Sequence, residues 1–213
     1  MKAILFDYDG VLVDSMEHNY TAWKRSFNSF GVNLEREDYF PLEGAQLRQV
    51  ADSISKKYNK KLDPEKIISL KEKFFKETYR FALYSGVEEL IMVLKEKQVP
   101  MAIVSAARRE RMLSTTPLSF LKNFDSIITG DKTEKGKPHP EPYLKAMSEL
   151  KVSPIESIVV ENAPLGVKSA KQAGAYCIAV CSTMDKKFLL EADEIINSFK
   201  ELKELEKIKN IFH

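Results

Sequence analysis

Two aspartates, Asp7 and Asp9, separated by one residue, follow directly after the first apolar run of the chain. That run, Ala3–Phe6, predicts a short buried strand, and Gly10 permits a tight turn just beyond it. Open α/β sheets bind ligands at such carboxyl ends of strands. If the chain leaves strand geometry after Asp7, one carboxylate can attack a substrate while the other serves the departing group. The plain alternative is a strand that leads into an acidic turn.

Ser105 ends a second apolar run, which predicts a strand over residues 101–105, and it precedes a predicted helix start. Its hydroxyl and the free backbone amides there, including that of Ala106, form an anion site that the helix dipole strengthens. An ordinary N-cap serine is an equally good interpretation of the pattern. Arg108 and Arg109 are expected to be solvated surface charges, with Arg109 within reach of a neighbouring domain.

Lys137 lies in a predicted loop and is followed by Pro138 and Pro140. These prolines favour extended backbone before them and so predict a fixed position for the lysine. A fixed ammonium can neutralise both a phosphate and an attacking carboxylate. On charge alone, Lys132 and Lys135 would serve equally well.

Glu161 and Asn162 end another apolar run, residues 157–161, before a helix rich in small residues. If this strand is a neighbour of the first, both side chains approach Asp7 and Asp9. Hard oxygen ligands at that point suit Mg²⁺, which keeps several waters and takes few protein ligands. The alternative is a polar strand end that caps the next helix.

Buried-strand patterns at 3–6, 101–105, 126–129, 157–161 and 175–180 alternate with helical patterns in the second half of the chain. This alternation predicts an α/β fold, a Rossmann-like parallel sheet covered on both faces. Residues 15–84 contain no convincing strand and predict helices over 16–30, 46–58 and 64–79. We therefore predict a catalytic core of residues 1–14 and 85–213 with an inserted α-helical cap domain, residues 15–84. Such a cap can exclude water and select the substrate.

The segment from Phe6 to Ser15, FDYDGVLVDS, closely resembles the nucleophile motif of the haloacid dehalogenase-like superfamily, in particular its phosphatase and β-phosphoglucomutase branch. Ser105, the Lys-Pro-x-Pro setting of Lys137 and the Glu161-Asn162 pair follow in the family's order, and the resemblance covers nearly the whole chain. Four motifs in this order, each at or just beyond a strand end, are far more specific than any one alone.

The resemblance implies a Mg²⁺-dependent phosphatase that works through an aspartyl-phosphate. Asp7 would be the nucleophile and Asp9 the general acid and base, with the crowded carboxylates raising the pKa of Asp9. Lys137, Ser105 and Ala106 would bind the phosphate. The metal ligands would be Asp7, Asp9 through its backbone carbonyl, Glu161 and Asn162. Asn162 departs from the family pattern, which usually has an aspartate there, so either its metal binding is weaker or Glu161 does more of the work.

Two other functions compete with the phosphatase. A β-phosphoglucomutase-like phosphomutase has a cap arginine and a cap histidine where this chain has Leu47 and Asn19, although Arg48 and His18 are one position away. A noncatalytic phosphometabolite-binding protein is favoured only by Asn162. A dehalogenase is disfavoured because Asp9 supplies an acid that dehalogenases lack at that position.

Cap residues Asn19, Glu43, Gln46 and Arg48 are candidates to face the substrate, which we expect to be a small phosphorylated metabolite such as a sugar phosphate or phosphoglycolate. With 33 basic and 31 acidic residues, the net charge of +2 favours no nucleic-acid or membrane partner. No apolar run reaches the ~18 residues of a membrane span. Cys177 and Cys181 are too far apart on a strand for a disulfide. We predict a cytoplasmic monomer or weak homodimer.

Overall fold

The computed structural model describes residues 1–209, and its centre is a sheet of six parallel strands. The strands are β1 (Ala3–Phe6), β2 (Met101–Val104), β3 (Ser126–Ile128), β4 (Ser157–Glu161), β5 (Tyr176–Val180) and β6 (Glu194–Ile196). Their order in the sheet is β3-β2-β1-β4-β5-β6. Strand β1 is therefore central, and Phe6 is in register with Ile103 of β2 and Val160 of β4.

Helices cover both faces of this sheet. The helices are α1 (Met16–Asn28), α2 (Arg36–Tyr39), α3 (Leu47–Lys57), α4 (Pro64–Thr78), α5 (Val87–Glu96), α6 (Arg109–Thr115), α7 (Leu118–Leu121), α8 (Glu141–Leu150), α9 (Pro164–Gln172) and α10 (Glu206–Lys209). Alternate residues of β1 enter two different cores, because Ile4 packs with α5 on one face and Leu5 packs with α8 and α9 on the other. This burial on both sides explains why the strands are continuous apolar runs.

The α/β fold class predicted from the sequence is confirmed, and the five predicted strands match β1 to β5 within one residue at each end. The sequence pattern did not predict β6. This strand has three residues, lies at the sheet edge beside β5, and buries only Ile196 fully, so it lacks a buried apolar run.

Residues 16–78 form helices with an apolar core of their own, in which α1 lies along α4. Trp23 stacks on Phe27 with ring centroids 5.9 Å apart, and Ile54 and Ile67 are buried beside them. The three predicted cap helices match α1, α3 and α4 within two residues, whereas the short α2 was missed. The predicted division into core and cap stays a prediction, and its last residues, 210–213, lie outside the described part of the chain.

Both cysteines are free thiols, as predicted. Among residues 1–209, no helix is long and apolar enough to cross a membrane.

Phe27 is fully buried in the apolar core of the helices over residues 16–78, so its truncation should lower stability strongly. Phe27→Ala leaves a cavity and should lower the free energy of unfolding by about 3–5 kcal/mol. Phe188→Ala is the control, because Phe188 is 55% exposed and should cost less than about 1 kcal/mol. Urea unfolding measures both, and equal losses in the two variants would contradict the assignment of Phe27 to a packed core.

Candidate active site

Asp7 and Asp9 lie in the turn that follows the central strand. The backbone amide of Asp7 still bonds to the carbonyl of Val160 at 2.9 Å, so Asp7 continues the sheet register. The chain then turns back, with Gly10 at φ +91° and its amide bonded to the carbonyl of Val13. A Cβ at Gly10 would lie 2.2 Å from Asn162 Nδ2, so this turn needs glycine for both conformation and space.

A buried ion triad joins Asp7, Lys137 and Glu161. Lys137 Nζ donates to Asp7 Oδ1 at 2.5 Å and to Glu161 Oε1 at 2.6 Å, and it also reaches the carbonyl of Val104 at 3.2 Å. All three charged side chains are at least nine-tenths buried. The lysine therefore links the ends of β1, β2 and β4.

Glu161 is held by donors on every side. Its Oε1 also accepts from the Tyr143 hydroxyl at 2.6 Å, and its Oε2 accepts from the backbone amide of Asn162 at 3.0 Å. Gly166 makes room for this carboxylate, because a Cβ there would lie 1.9 Å from Oε1. The geometry thus makes Glu161 a residue that positions Lys137.

The one ammonium of the triad cannot neutralise two buried carboxylates. This imbalance shifts the pKa values of Asp7 and Lys137. Burial raises the pKa of Asp7, and Lys137 opposes that shift while Glu161 adds to it. Burial works against the charged form of Lys137, but Asp7 and Glu161 outweigh it and raise its pKa. Full ionisation of the triad would therefore leave an excess of negative charge beside Lys137, and the raised pKa of Asp7 reflects this cost.

Asp9 has separate partners on the cap-facing side. Its Oδ1 accepts from Ser15 Oγ at 2.5 Å and from Asn19 Nδ2 at 3.2 Å, and the Arg111 guanidinium clamps both of its oxygens, at 3.2 and 2.5 Å. Burial favours the neutral acid, but Arg111 and Ser15 outweigh it and lower the pKa of Asp9. The expectation that crowding with other carboxylates raises this pKa was wrong, because Arg111 is the nearest charge.

Ser105 lies at the end of β2 beside the aspartates, with Ala106 next to it. Ser105 Oγ accepts from the amide of Ala107 at 3.1 Å, a local turn, and α6 begins only at Arg109. The predicted helix start at Ser105 was therefore wrong. Loop amides, rather than a helix N-terminus, face the site at this point.

Residues of the predicted cap lie over the aspartates. Glu43 is buried, and its Oε2 accepts from Thr183 Oγ1 at 2.9 Å and from Asn162 Nδ2 at 3.3 Å. Burial raises the pKa of Glu43 to about 8, with Thr183 opposing the shift. The cavity at the aspartates measures about 50 Å³, room for a few waters. We therefore expect the predicted cap to move before a substrate can enter.

The residues present fit a divalent metal ion. Among the described residues, no hydrogen bond engages Asp7 Oδ2, the carbonyl of Asp9 or Asn162 Oδ1, and Glu43 Oε1 is buried without a partner. These are hard oxygen atoms in a site with excess carboxylate, the donor set that Mg²⁺ prefers. Residues 1–209 contain no group of three or more His, Cys, Asp or Glu side chains arranged as a metal centre, so backbone and amide oxygens would have to contribute.

The model of the haloacid dehalogenase-like hydrolase family matches residues 4–180. The chain belongs to this family. Validoxylamine A 7′-phosphate phosphatase of Streptomyces hygroscopicus subsp. limoneus is 31% identical over 204 residues, which are 95% of this chain and 96% of that protein. The phosphorylated carbohydrates phosphatase of Thermotoga maritima is 30% identical over 217 residues, covering 95% and 100% of the two chains.

A solved structure of CbbY from Rhodobacter sphaeroides in complex with phosphate shares the fold, with a TM-score of 0.79, 26% identity, and coverage of 95% of this chain and 96% of that one. The family predicted from the sequence is confirmed. The names of the two curated relatives support the predicted enzyme class, a phosphoric monoester hydrolase of the haloacid dehalogenase-like family.

In this haloacid dehalogenase-like hydrolase, most of the predicted site residues lie at the pocket, but some lie away from it. The pocket is lined by Asp7, Asp9, Asn19, Glu43, Ser105, Ala106 and Asn162, and Lys137 and Glu161 lie directly behind Asp7. Arg48 does not line it. Its side chain is 68% exposed and faces Asp52 and Glu65, so the predicted substrate contact is absent from this arrangement. Gln46 donates weakly to the carbonyls of Gly130 and Thr133 instead.

Arg111 is a site residue that the sequence analysis missed. It is 3% exposed and lies in α6 beside Met112, whereas Arg108 is exposed and pairs with Glu65. In the sequence it is one of several charges in RRER, a pattern typical of a solvated surface. In the sequence, the apolar Met112 next to it is a local signal that this helix turns one face inward.

Gly166 gives a test of the triad geometry. Gly166→Ala should displace Glu161 and with it Lys137, and a misplacement of about 1 Å should lower kcat roughly 100-fold. Lys168→Ala, at an exposed position of the same helix, should leave kcat unchanged. Steady-state phosphate release measures both, with circular dichroism as the check on folding. Wild-type kcat in folded Gly166→Ala would contradict the role of Glu161.

Proposed function

We propose that the protein is a Mg²⁺-dependent phosphatase that hydrolyses a small phosphomonoester through an aspartyl-phosphate on Asp7. The observation that carries this proposal is the buried triad, in which Lys137 bonds to one oxygen of Asp7 while the other oxygen meets no donor among the described residues. A carboxylate held in this way is an oriented nucleophile with a cation beside it.

Phosphate binding would use the groups that surround Asp7. Within the described residues, the backbone amides of Tyr8, Asp9 and Ala106 donate no hydrogen bond, and the Ser105 hydroxyl lies beside them. Together with the Lys137 ammonium, these donors can hold the equatorial oxygens of a phosphoryl group during in-line attack. Mg²⁺ held by Asp7, the carbonyl of Asp9 and Asn162 would add positive charge against the same oxygens.

Asp9 would transfer the protons. Once the substrate has displaced Arg111, the Asp9 carboxylate can take up a proton from solvent. As the acid, Asp9 then gives this proton to the alcohol oxygen that leaves when Asp7 attacks phosphorus. As the resulting carboxylate it takes a proton from the water that attacks the aspartyl-phosphate, releasing phosphate and restoring Asp7. Arg111, Ser15 and Asn19 hold its carboxylate in the substrate-free site, so the substrate must compete with Arg111 for Asp9.

The named relatives support a proposal for the substrate class. One curated relative is named as a phosphatase of validoxylamine A 7′-phosphate and the other as a phosphatase of phosphorylated carbohydrates, and CbbY was solved with phosphate. We therefore propose a sugar phosphate or a phosphoglycolate-like ester as the substrate. We also propose that the protein acts in the cytoplasm. The phosphomutase alternative is disfavoured because Leu47 lines the pocket where a mutase has arginine, and Asn19 bonds to Asp9 where it has histidine.

Phosphate release from sugar phosphates, phosphoglycolate and a chromogenic ester tests the proposal. We expect release with Mg²⁺ and none with EDTA, because the carboxylate-rich site needs the cation. Asp7→Asn should lower kcat at least about 1,000-fold, since an amide is a very poor nucleophile. Asp52→Asn, an exposed change in the cap, is the control. Metal-dependent release by Asp7→Asn near the wild-type rate would overturn the mechanism.

Asn162 offers a second test that concerns the metal. Asn162→Asp adds a negative charge to the proposed ligand set and should lower the Mg²⁺ concentration for half-maximal activity about tenfold. Asn28→Asp adds the same charge at an exposed position in α1 and should not change it. Mg²⁺ titration of phosphate release gives the value, and an unchanged midpoint in Asn162→Asp would exclude Asn162 as a ligand.

A further inference from the structure

Two buried cations face the same pocket beyond Asp9. Lys71 of α4 is 1% exposed and Arg111 of α6 is 3% exposed, and both line the cavity that contains Asp7 and Asp9. Aromatic rings enclose them, with Lys71 Nζ 5.0 Å and the Arg111 guanidinium carbon 4.7 Å from the centre of the Phe75 ring. Buried lysines and arginines are rare unless they are paired, so their partners decide what they do.

Lys71 and Arg111 are only partly satisfied by hydrogen-bond and ion-pair partners. Lys71 Nζ bonds to Glu72 at 3.0 Å, and Arg111 Nε lies 4.0 Å from the same carboxylate, beyond hydrogen-bond distance. Within the described residues, Arg111 Nε is buried with no hydrogen-bond partner. Among residues 1–209, Asp9, the proposed acid and base, is the only carboxylate that accepts hydrogen bonds from Arg111.

We propose that Arg111 and Lys71 form a binding site for a second anionic group of the substrate, carried by its alcohol part. The substrate class is then a phosphomonoester whose alcohol bears a carboxylate or a second phosphate. This inference rests on the proposed phosphatase function and goes beyond it, because it assigns the recognition of the leaving group to Arg111 and Lys71.

The ion pair between Asp9 and Arg111 explains why an anion is needed. Asp9 must turn to the leaving oxygen, and this breaks a bidentate, buried ion pair. A neutral alcohol offers Arg111 nothing in return and leaves a buried guanidinium without its counter-ion, which is costly. A carboxylate or phosphate matches the guanidinium fork and replaces Asp9.

The same contact limits the length of the substrate. Arg111 bonds directly to Asp9, so the second anion must lie within a few bonds of the ester oxygen that Asp9 serves. The other basic residues nearby cannot replace the pair, because the exposed side chains of Arg48 and Arg108 both face Glu65.

Matched esters test the inference. Phosphoglycolate and 2-hydroxyethyl phosphate differ only in a carboxylate against a hydroxymethyl group, and propane-1,3-diol bisphosphate and its monophosphate differ only in a second phosphate. For the wild-type enzyme with Mg²⁺, we expect kcat/KM to favour the anionic member of at least one pair by about 30-fold or more. The pair that shows the larger ratio identifies the anion.

Arg111→Gln and Lys71→Met should each bring that ratio towards one. Arg109→Gln in α6 and Lys73→Met in α4 are exposed matched controls and should keep the wild-type ratio. Because the ratio compares two esters on one variant, a general loss of activity or of folded enzyme cancels.

Binding without turnover supplies an independent readout. With Mg²⁺ present, 3-phosphonopropionate should raise the Tm of the wild-type protein more than propylphosphonate does, and Arg111→Gln should abolish this difference. Wild-type ratios near one for both pairs, or ratios and Tm differences that survive in Arg111→Gln, would overturn the inference while leaving the phosphatase intact. No metal-dependent release from any ester would instead overturn the proposed function and this inference with it.

Discussion

The contact between Lys137 and the two carboxylates of Asp7 and Glu161 is the interaction on which the rest of the site depends. Removing three charges from water is expensive, and the cost is offset only when each charge meets close partners. Here the ammonium meets two carboxylates and the carbonyl of Val104, and Glu161 meets Tyr143 as well. The two carboxylates of this triad outnumber its one cation, and the proposed roles of a metal ion and an electrophilic substrate rest on this imbalance.

The sheet topology supplies the partners of Lys137 in one place. Strand β1 lies between β2 and β4, so Asp7, Ser105 and Glu161 all follow strands that end at one edge of the sheet. Gly10 and Gly166 then allow the backbone to approach Asn162 and Glu161 more closely than any other residue would. The predicted cap adds Glu43 and Lys71 to a cavity of about 50 Å³, so the proposed catalytic cycle includes opening of the cap.

Local patterns in the sequence predicted much of this arrangement. The apolar runs of β1 to β5 are buried on both faces, so strand positions and the polar residues at their ends could be identified without a structure. The edge strand β6 could not, because its three residues bury little. Contacts between residues far apart in the sequence could not be predicted either. The role of Glu161, for example, depends on partners that include Tyr143 from α8.

Arg111 shows the same limit for electrostatics. A charge run gives no sign of which arginine turns inward, so the sequence analysis considered carboxylates alone and obtained the wrong direction for the pKa of Asp9. Side-chain charges act over a few ångströms, and only the packing of α6 against the cap brings Arg111 to Asp9.

In the proposed mechanism, Asp7, held by Lys137, becomes phosphorylated. The most direct measurement is a rapid acid quench of the enzyme during turnover with Mg²⁺, followed by borohydride reduction and peptide mass spectrometry. An aspartyl-phosphate is reduced to homoserine, so the account predicts homoserine at position 7 and an unmodified Asp9. Homoserine at another position, or none while phosphate is being released, would contradict it.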